Sequence, residues 1–183
     1  MNKKEDSIQM SVGGLTLDPV TKTPIVILKD PDNKLNLPIW IGLLEATAMA
    51  TEIEGVKMAR PMTHDLLSRL LEVNNIHVEK VAVTTLHDTT FYATLWLRVG
   101  ERVHEVDARP SDALSLALRL QVPIFVATDL FAQQSQHVEQ MRPAMVLRSQ
   151  QLDPPGDAAI ELRSFRSLLG GDVGEPLPSL PGT

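Results

Sequence analysis

The sequence predicts an α+β domain, and three observations predict it. The first is a hairpin: Ile76 to Leu86 and Phe91 to Val99 are two β-rich runs around the turn residues His87-Asp88-Thr89-Thr90. The second is a strand that passes through a tight turn into an apolar helix, over Asp107-Ala108-Arg109-Pro110-Ser111-Asp112-Ala113-Leu114-Ser115-Leu116-Ala117-Leu118. The third is a weaker copy of that unit 67 residues earlier, where Ile39-Trp40-Ile41-Gly42-Leu43-Leu44-Glu45-Ala46 stands against Val106 to Ala113. Glu45 falls on Asp112, Ala50 on Ala117 and Glu52 on Arg119. A degenerate duplication of this kind predicts a pseudo-symmetric fold.

The elements follow in order. Met1 to Asp6 reads as a frayed tail. Ser7 to Leu17 is extended, with Ile8, Met10 and Val12 alternating until Gly13-Gly14 interrupts the pattern at a bulge or turn. Pro24 to Lys29 is a second strand, and Asp30-Pro31-Asp32-Asn33 is a turn. Leu35, Leu37, Ile39 and Ile41 alternate as a third strand. Leu43 to Glu54 is a helix in which Ala46, Ala48 and Ala50 would let another backbone come close, and Gly55 can end it. A second helix starts near Thr63, a good N-cap. Its inward side carries His64, Leu67 and Leu71; its outward side carries Asp65, Arg69 and Glu72, with Asp65 and Arg69 as an i,i+4 ion pair.

In the return strand of the hairpin, Phe91, Ala93, Leu95 and Leu97 form one face, and Tyr92, Thr94, Trp96 and Arg98 the other. The second face is too apolar for open solvent and predicts packing on a helix or on another subunit. Val103 to Ala108 leads into the organising helix. Pro110 suits its first turn, because the missing N–H has no partner there anyway. Ser111 or Asp112 can accept from the free N–H groups, and a carboxylate is favoured at the positive end of the helix dipole. Asp112, Ser115 and Arg119 make one polar stripe on a helix otherwise apolar all round, which predicts burial. Val122 to Ala127 is a short strand. Beyond it come a Gln-rich stretch, the linker Asp153-Pro154-Pro155-Gly156, an amphipathic helix with Leu162, Phe165 and Leu169 on one side, and a Gly- and Pro-rich tail. The expected organisation is a domain over 1–132, a variable connection over 133–156, a C-terminal helix over 157–169 and a flexible tail over 170–183.

The bulk composition narrows the function. A chain of 183 residues can build a real core, and 43% hydrophobic residues is ordinary for a globular domain. The absence of cysteine excludes disulfides, thiolate metal sites and cysteine nucleophiles. No apolar run approaches the ~20 residues that span a bilayer, and Met1 to Asp6 lacks the apolar stretch of a signal peptide, so a cytoplasmic location without membrane contact is expected. The net charge of -6 and the lack of a Lys/Arg run mean that nucleic-acid binding needs a local arginine patch or metal ions.

Five pieces of the chain together resemble the bifunctional nuclease domain family. They are Leu37-Pro38-Ile39-Trp40-Ile41-Gly42 with Glu45-Ala46, Arg60-Pro61-Met62-Thr63-His64-Asp65-Leu66-Leu67, Phe91-Tyr92-Ala93, Asp107 to Ala113, and Pro123-Ile124. They occur in family order over roughly Ile8 to Ala132, and Glu161 to Leu169 is similar to the short helix that closes many members. The resemblance implies duplicated β-α-β-β units whose antiparallel strands close into a small barrel-like sheet packed with helices. It also implies nuclease activity on DNA and RNA, and nucleic acid as a partner.

A nuclease must activate a water, stabilise charge on the transition state and help the leaving oxygen depart. Carboxylates holding Mg²⁺ or Mn²⁺ meet these demands, and so does a His base with an Arg clamp. The candidate acids, base or ligands are Glu45, His64, Asp65, Asp107 and Asp112. Arg60 and Arg109 are the candidate phosphate clamps, with Ser111 beside them, because a planar guanidinium matches phosphate oxygens. Two Arg-Pro turns opening helices would also offer free backbone N–H groups to an anion. Each residue has a structural reading too. Glu45 and Asp112 offset helix dipoles, His64 is a satisfied core histidine, and Arg60 and Arg109 pair with Asp107 or Asp112 to hold the turns. No spacing here is diagnostic of a metal. The rival function is a non-enzymatic, homo-oligomeric module that binds an anionic ligand or a partner. The two readings part on one expectation: that both arginine–proline corners and their acids converge.

Overall fold

The computed structural model describes residues 6–133. The expected connection, C-terminal helix and tail fall on 134–183, outside the described residues, together with residues 1–5. Ten elements follow one another: β1 (Ser7–Leu17), β2 (Pro24–Lys29), β3 (Asn36–Trp40), α1 (Leu43–Ile53), α2 (Thr63–Val73), β4 (Ile76–His87), β5 (Thr90–Val99), β6 (Arg102–Ala108), α3 (Pro110–Leu120) and β7 (Ile124–Ala127). Among the described residues no helix is long and apolar enough to cross a membrane.

The strands form one seven-stranded sheet in the order β3-β2-β1-β7-β4-β5-β6. Every neighbouring pair is antiparallel except β4 and β7, which run parallel with Val81, Ala82 and Val83 beside Ile124, Phe125 and Val126. The fold is α+β, as the sequence predicts. The sheet is mixed and open: β3 and β6 are its two edges, so the barrel implied by the resemblance does not close. The duplication is visible as β1-β2-β3-α1 and β4-β5-β6-α3, a rotation of the β-α-β-β order. Its two helices begin at Leu43 and Pro110 and have eleven residues each, so the offset seen in the sequence is kept in the fold. β7 lies between the halves and pairs with both.

Local chemistry explains the shapes. Gly13 sits at a bulge where the register of β1 on β2 shifts between Val12 and Gly14. A Cβ there would run into the Lys29 side chain, so the residue must be small. Asp88 takes a left-handed conformation (φ 55°) in the tight β4–β5 turn, which an aspartate tolerates. Gln121 takes the same conformation (φ 54°) where α3 ends.

The core is continuous across both halves. Leu15, Val26, Leu28 and Leu37 come from the first meander, Val81, Val83 and Ala93 from the second, Met49, Leu114 and Leu116 from the helices and Val126 from β7. Each fully buried leucine contributes about 1.5–3 kcal/mol. α3 packs on α1, α2, β4 and β5, and Pro110, Ser111 and Ala113 to Ala117 are buried, as its apolar surface predicts. α2 meets expectation in part, since His64 is buried and Leu71 packs on the core but Leu67 does not. Only His64 is buried on it, while Leu66, Leu67, Leu70 and Val73 are exposed. Among the described residues no helix covers the outer face of β5, on which Tyr92 stays exposed. Polar groups from the neighbouring strands lie along that face: Trp96 donates to Glu105 at 3.2 Å, the Lys80 ammonium lies 4.4 Å from the Trp96 ring centre, and Arg98 Nε donates to Glu79 at 2.6 Å.

Candidate active site

Two helices start at the same place. β3 ends and the chain turns at Gly42 into α1; β6 ends and the chain turns at Arg109 into α3. Gly42 and Arg109 occupy equivalent places in the repeat. Neither helix start has a side-chain cap, so Ser111 and Asp112 do not play the capping role the sequence allows them. Both starts face a cleft of about 290 Å³ lined by Trp40, Gly42, Glu45, Thr90, Arg109 and Ser111, among others. Positive helix ends beside one cleft favour an anion, with α3 offering the Ser111 N–H, because Pro110 has none and the Asp112 and Ala113 N–H groups donate to the Arg109 carbonyl.

Arg109 is the hinge of the site. Its Nε donates to Asp112 Oδ2 at 2.7 Å, its Nη2 to Asp112 Oδ1 at 3.1 Å, and its Nη1 to Glu45 Oε1 at 2.9 Å. Three of five N–H groups are thus bonded, and two remain on a side chain that is 66% exposed. The two carboxylates, Asp112 first, raise the Arg109 pKa above its ordinary value. In return Arg109, and then His64, hold the Asp112 carboxyl below the usual carboxylate range against the opposing effect of burial. Asp112 is therefore an acceptor. His64 Nε2, 3.2 Å from Asp112 Oδ1, carries the proton of that bond. His64 is buried as expected, and Asp112 joins it to Arg109 and through Arg109 to Glu45.

Asp65 belongs to a second network and corrects the expected pair with Arg69. Its Oδ1 accepts from Arg119 Nε at 2.5 Å and its Oδ2 from the Met62 N–H at 2.8 Å, which caps α2 at Met62 rather than Thr63. The Arg119 bond lowers the Asp65 pKa most. Arg119, only 6% exposed, also donates to the carbonyls of Ser115 and Ala48 at 3.2 Å each and lies 3.9 Å from Glu52. Residues that match in the repeat thus meet in space: Glu45 and Asp112 on Arg109, and Glu52 beside Arg119.

Two candidates stand apart. Asp107 is exposed on edge strand β6 opposite Thr94, and Arg60 is exposed ahead of α2. Neither lines the cleft, and neither side chain has a hydrogen bond or ion pair among the described residues. The convergence expected of both arginine–proline corners is therefore not the one found: Arg109 meets Gly42 instead. Trp40, Gly42, Thr89 and Thr90 were not candidates. The repeat carried a signal for Gly42, because it stands where Arg109 stands in the second copy; nothing local marked the other three.

The residues present do not fit a resident metal. The Arg109 guanidinium donates to Glu45 Oε1 and to both Asp112 oxygens, so the charge that would attract an ion is already matched by a cation. Among the described residues no three of His, Cys, Asp and Glu are placed to hold one.

The fold and cleft define a class: a pseudo-duplicated α+β domain with an arginine–carboxylate site between paired helix starts. Residues 26–139 match the bifunctional nuclease domain, and the chain belongs to that family. An uncharacterized protein of Mycobacterium tuberculosis strain H37Rv is 38% identical over 125 residues, covering 68% of this chain and 74% of that protein. Bifunctional nuclease 2 of Arabidopsis thaliana is 31% identical over 105 residues, covering 56% of this chain and 32% of that protein. Bifunctional nuclease 1 of the same plant is 27% identical over 157 residues, covering 79% and 48%. The chain thus spans less than half the length of these two plant relatives.

Proposed function

We propose that the protein is a nuclease that hydrolyses phosphodiester bonds of DNA and RNA in the cytoplasm, at the cleft between the starts of α1 and α3. The observation that carries this reading is the convergence of two uncapped helix starts on Arg109. The family of the chain and the names of its plant relatives support it. In this reading the two unbonded N–H groups of Arg109 and the N–H groups of the helix starts hold the phosphate. Glu45, 21% exposed on its side chain and fixed by Arg109, takes the proton of the attacking water. Ser111 contacts the phosphate, and Asp112 with His64 position Arg109. Arg60 and Asp107, exposed and outside the cleft, have no part in the chemistry; Asp65 serves α2.

The test is cleavage of labelled DNA and RNA by the purified chain, run in a chelator and again with Mg²⁺ or Mn²⁺ to find whether an ion arriving with the substrate contributes. Arg109→Ala and Glu45→Gln should each reduce the rate at least ~100-fold, the scale of losing a transition-state donor or a general base. Cleavage that survives both substitutions would sink the proposal and identify a contaminant.

A second reading, a homo-oligomeric anion- or partner-binding module, is favoured by one observation: Leu66, Leu67, Leu70 and Val73 line the exposed side of α2. Self-association through this side is compatible with either function. Anion binding without turnover would select the module.

A further inference from the structure

The cleft that holds Arg109 is also lined by two aromatic residues, Phe91, which packs on the core, and Trp40, which does not. Trp40 is the last residue of β3 and lines the cleft while remaining 50% exposed. A tryptophan left half in water in a chain with 4% aromatic residues does little for the core. It is nevertheless held in place. Its Nε1 donates to Asp18 Oδ2 at 3.3 Å, and Asp18 is itself fixed in the β1–β2 turn by the N–H groups of Val20 and Thr21 at 2.9 and 2.8 Å. The indole edge is tied, so its orientation is set before any ligand arrives. Phe91, half-buried, and the Thr89 and Thr90 hydroxyls line the same cleft.

An oriented aromatic ring and a guanidinium on one small cleft suit a base and the phosphate next to it. A cleft of about 290 Å³ admits one unstacked base with its phosphate, while a paired base offers no free face to the indole. We propose that Trp40 is a base-stacking platform that makes this cleft select single-stranded over duplex nucleic acid, with Asp18 as its positioning residue. The proposal rests on the nuclease reading of the same cleft. Stacking on aromatic side chains is tolerant of base identity, so the selection is for unpaired strand and not for sequence.

The test uses the full chain with Trp96→Phe, which leaves Trp40 as its only tryptophan. A phosphorothioate-linked thymidylate octamer should quench its fluorescence, and a duplex of the same length should not. In cleavage, Trp40→Ala should lower kcat/KM for single strands roughly 5- to 100-fold, the range expected for loss of one stacked base, and lower it by a smaller factor for duplex, so that the single-strand to duplex ratio falls. Trp40→Phe should recover most of the loss, and Asp18→Ala should fall between, raising KM more than it lowers kcat. Thermal melting of each variant separates misfolding from lost stacking. Equal quenching by duplex, or an unchanged single-strand to duplex ratio in Trp40→Ala, overturns the platform and leaves the nuclease standing. Quenching by single strands in a wild-type chain that cuts nothing overturns hydrolysis and leaves the platform. A chain that neither cuts nor is quenched loses both.

Discussion

Arg109 divides its donors between Glu45 and Asp112, and that division makes Gly42 a sensitive position. A Cβ on Gly42 would meet the Glu45 carboxylate, yet the backbone there (φ -73°, ψ 160°) suits any residue. Gly42→Ala should therefore displace Glu45 without straining the chain. We expect cleavage to drop about tenfold or more, the cost of a misplaced catalytic group, while the melting temperature changes by less than about 2 °C, because the Arg109 side of the affected pair is 66% exposed and keeps its bonds to Asp112. Acid should act on two other residues. Asp65 and Asp112 have carboxyl groups lowered by Arg119 and Arg109 respectively. A depressed folded pKa stabilises the fold above the unfolded value, about 3.9, and that contribution disappears as pH falls through the folded value. Melting temperature should hold from pH 7 to about 4 and fall below it. Asp65→Asn should be less stable at pH 7 and should show a shallower acid fall; an unchanged fall would show that the Arg119 bond does not contribute. At this scale the sequence was partly readable. His64 turns inward, as its position foretold; Glu45, Arg109 and Ser111 line one cleft, a grouping the sequence did not specify. Asp65 did not keep its local partner, because an exposed i,i+4 pair contributes a fraction of a kcal/mol while the buried Arg119 requires a counter-charge.

Among the elements, the strands and helices closed by turn chemistry were legible, and α2 was legible in its bounds but only in part in its orientation. β1, β2 and α3 follow alternation, Gly13, Pro110 and the apolar run around Leu114, all of which act within a few residues. The periodicity of α2 assigns its inward side in part: His64 is buried and Leu71 packs on the core, whereas Leu67 is exposed. Its leucines occupy more than one side, and the surface that receives the helix comes from α3, far along the chain. α2 is held by Leu71 against the core and by two polar contacts, His64 to Asp112 and Asp65 to Arg119. Its exposed leucines supply the surface for the proposed self-association. Leu66→Lys combined with Leu70→Lys should shift the sedimentation coefficient towards that of a monomer and leave thermal stability nearly unchanged, since both side chains are exposed. An unchanged coefficient would place any interface elsewhere.

For the molecule as a whole, the duplication was readable at its offset, but the strand order was not. Hairpins bring neighbours in sequence together, whereas the place of β7 between β1 and β4 depends on contacts between distant parts of the chain. Both halves share one core, so unfolding should be a single cooperative transition, with calorimetric and van't Hoff enthalpies in agreement. Val126, fully buried on β7, touches that shared core; Val126→Ala should cost about 2 kcal/mol and lower the one transition rather than split it. Two separate transitions would mean that each half is a folding unit of its own.

The central position of β7 also has a consequence for synthesis. The strand that joins the two meanders is the final strand of the described chain, so on the ribosome both meanders emerge before the piece that seals them. Until Ile124 to Ala127 leaves the exit tunnel, the facing margins of β1 and β4 have open backbone groups that could pair with other nascent chains. Slowing elongation just upstream of those codons should therefore lower the soluble yield, and a chaperone that shields strand margins should restore it.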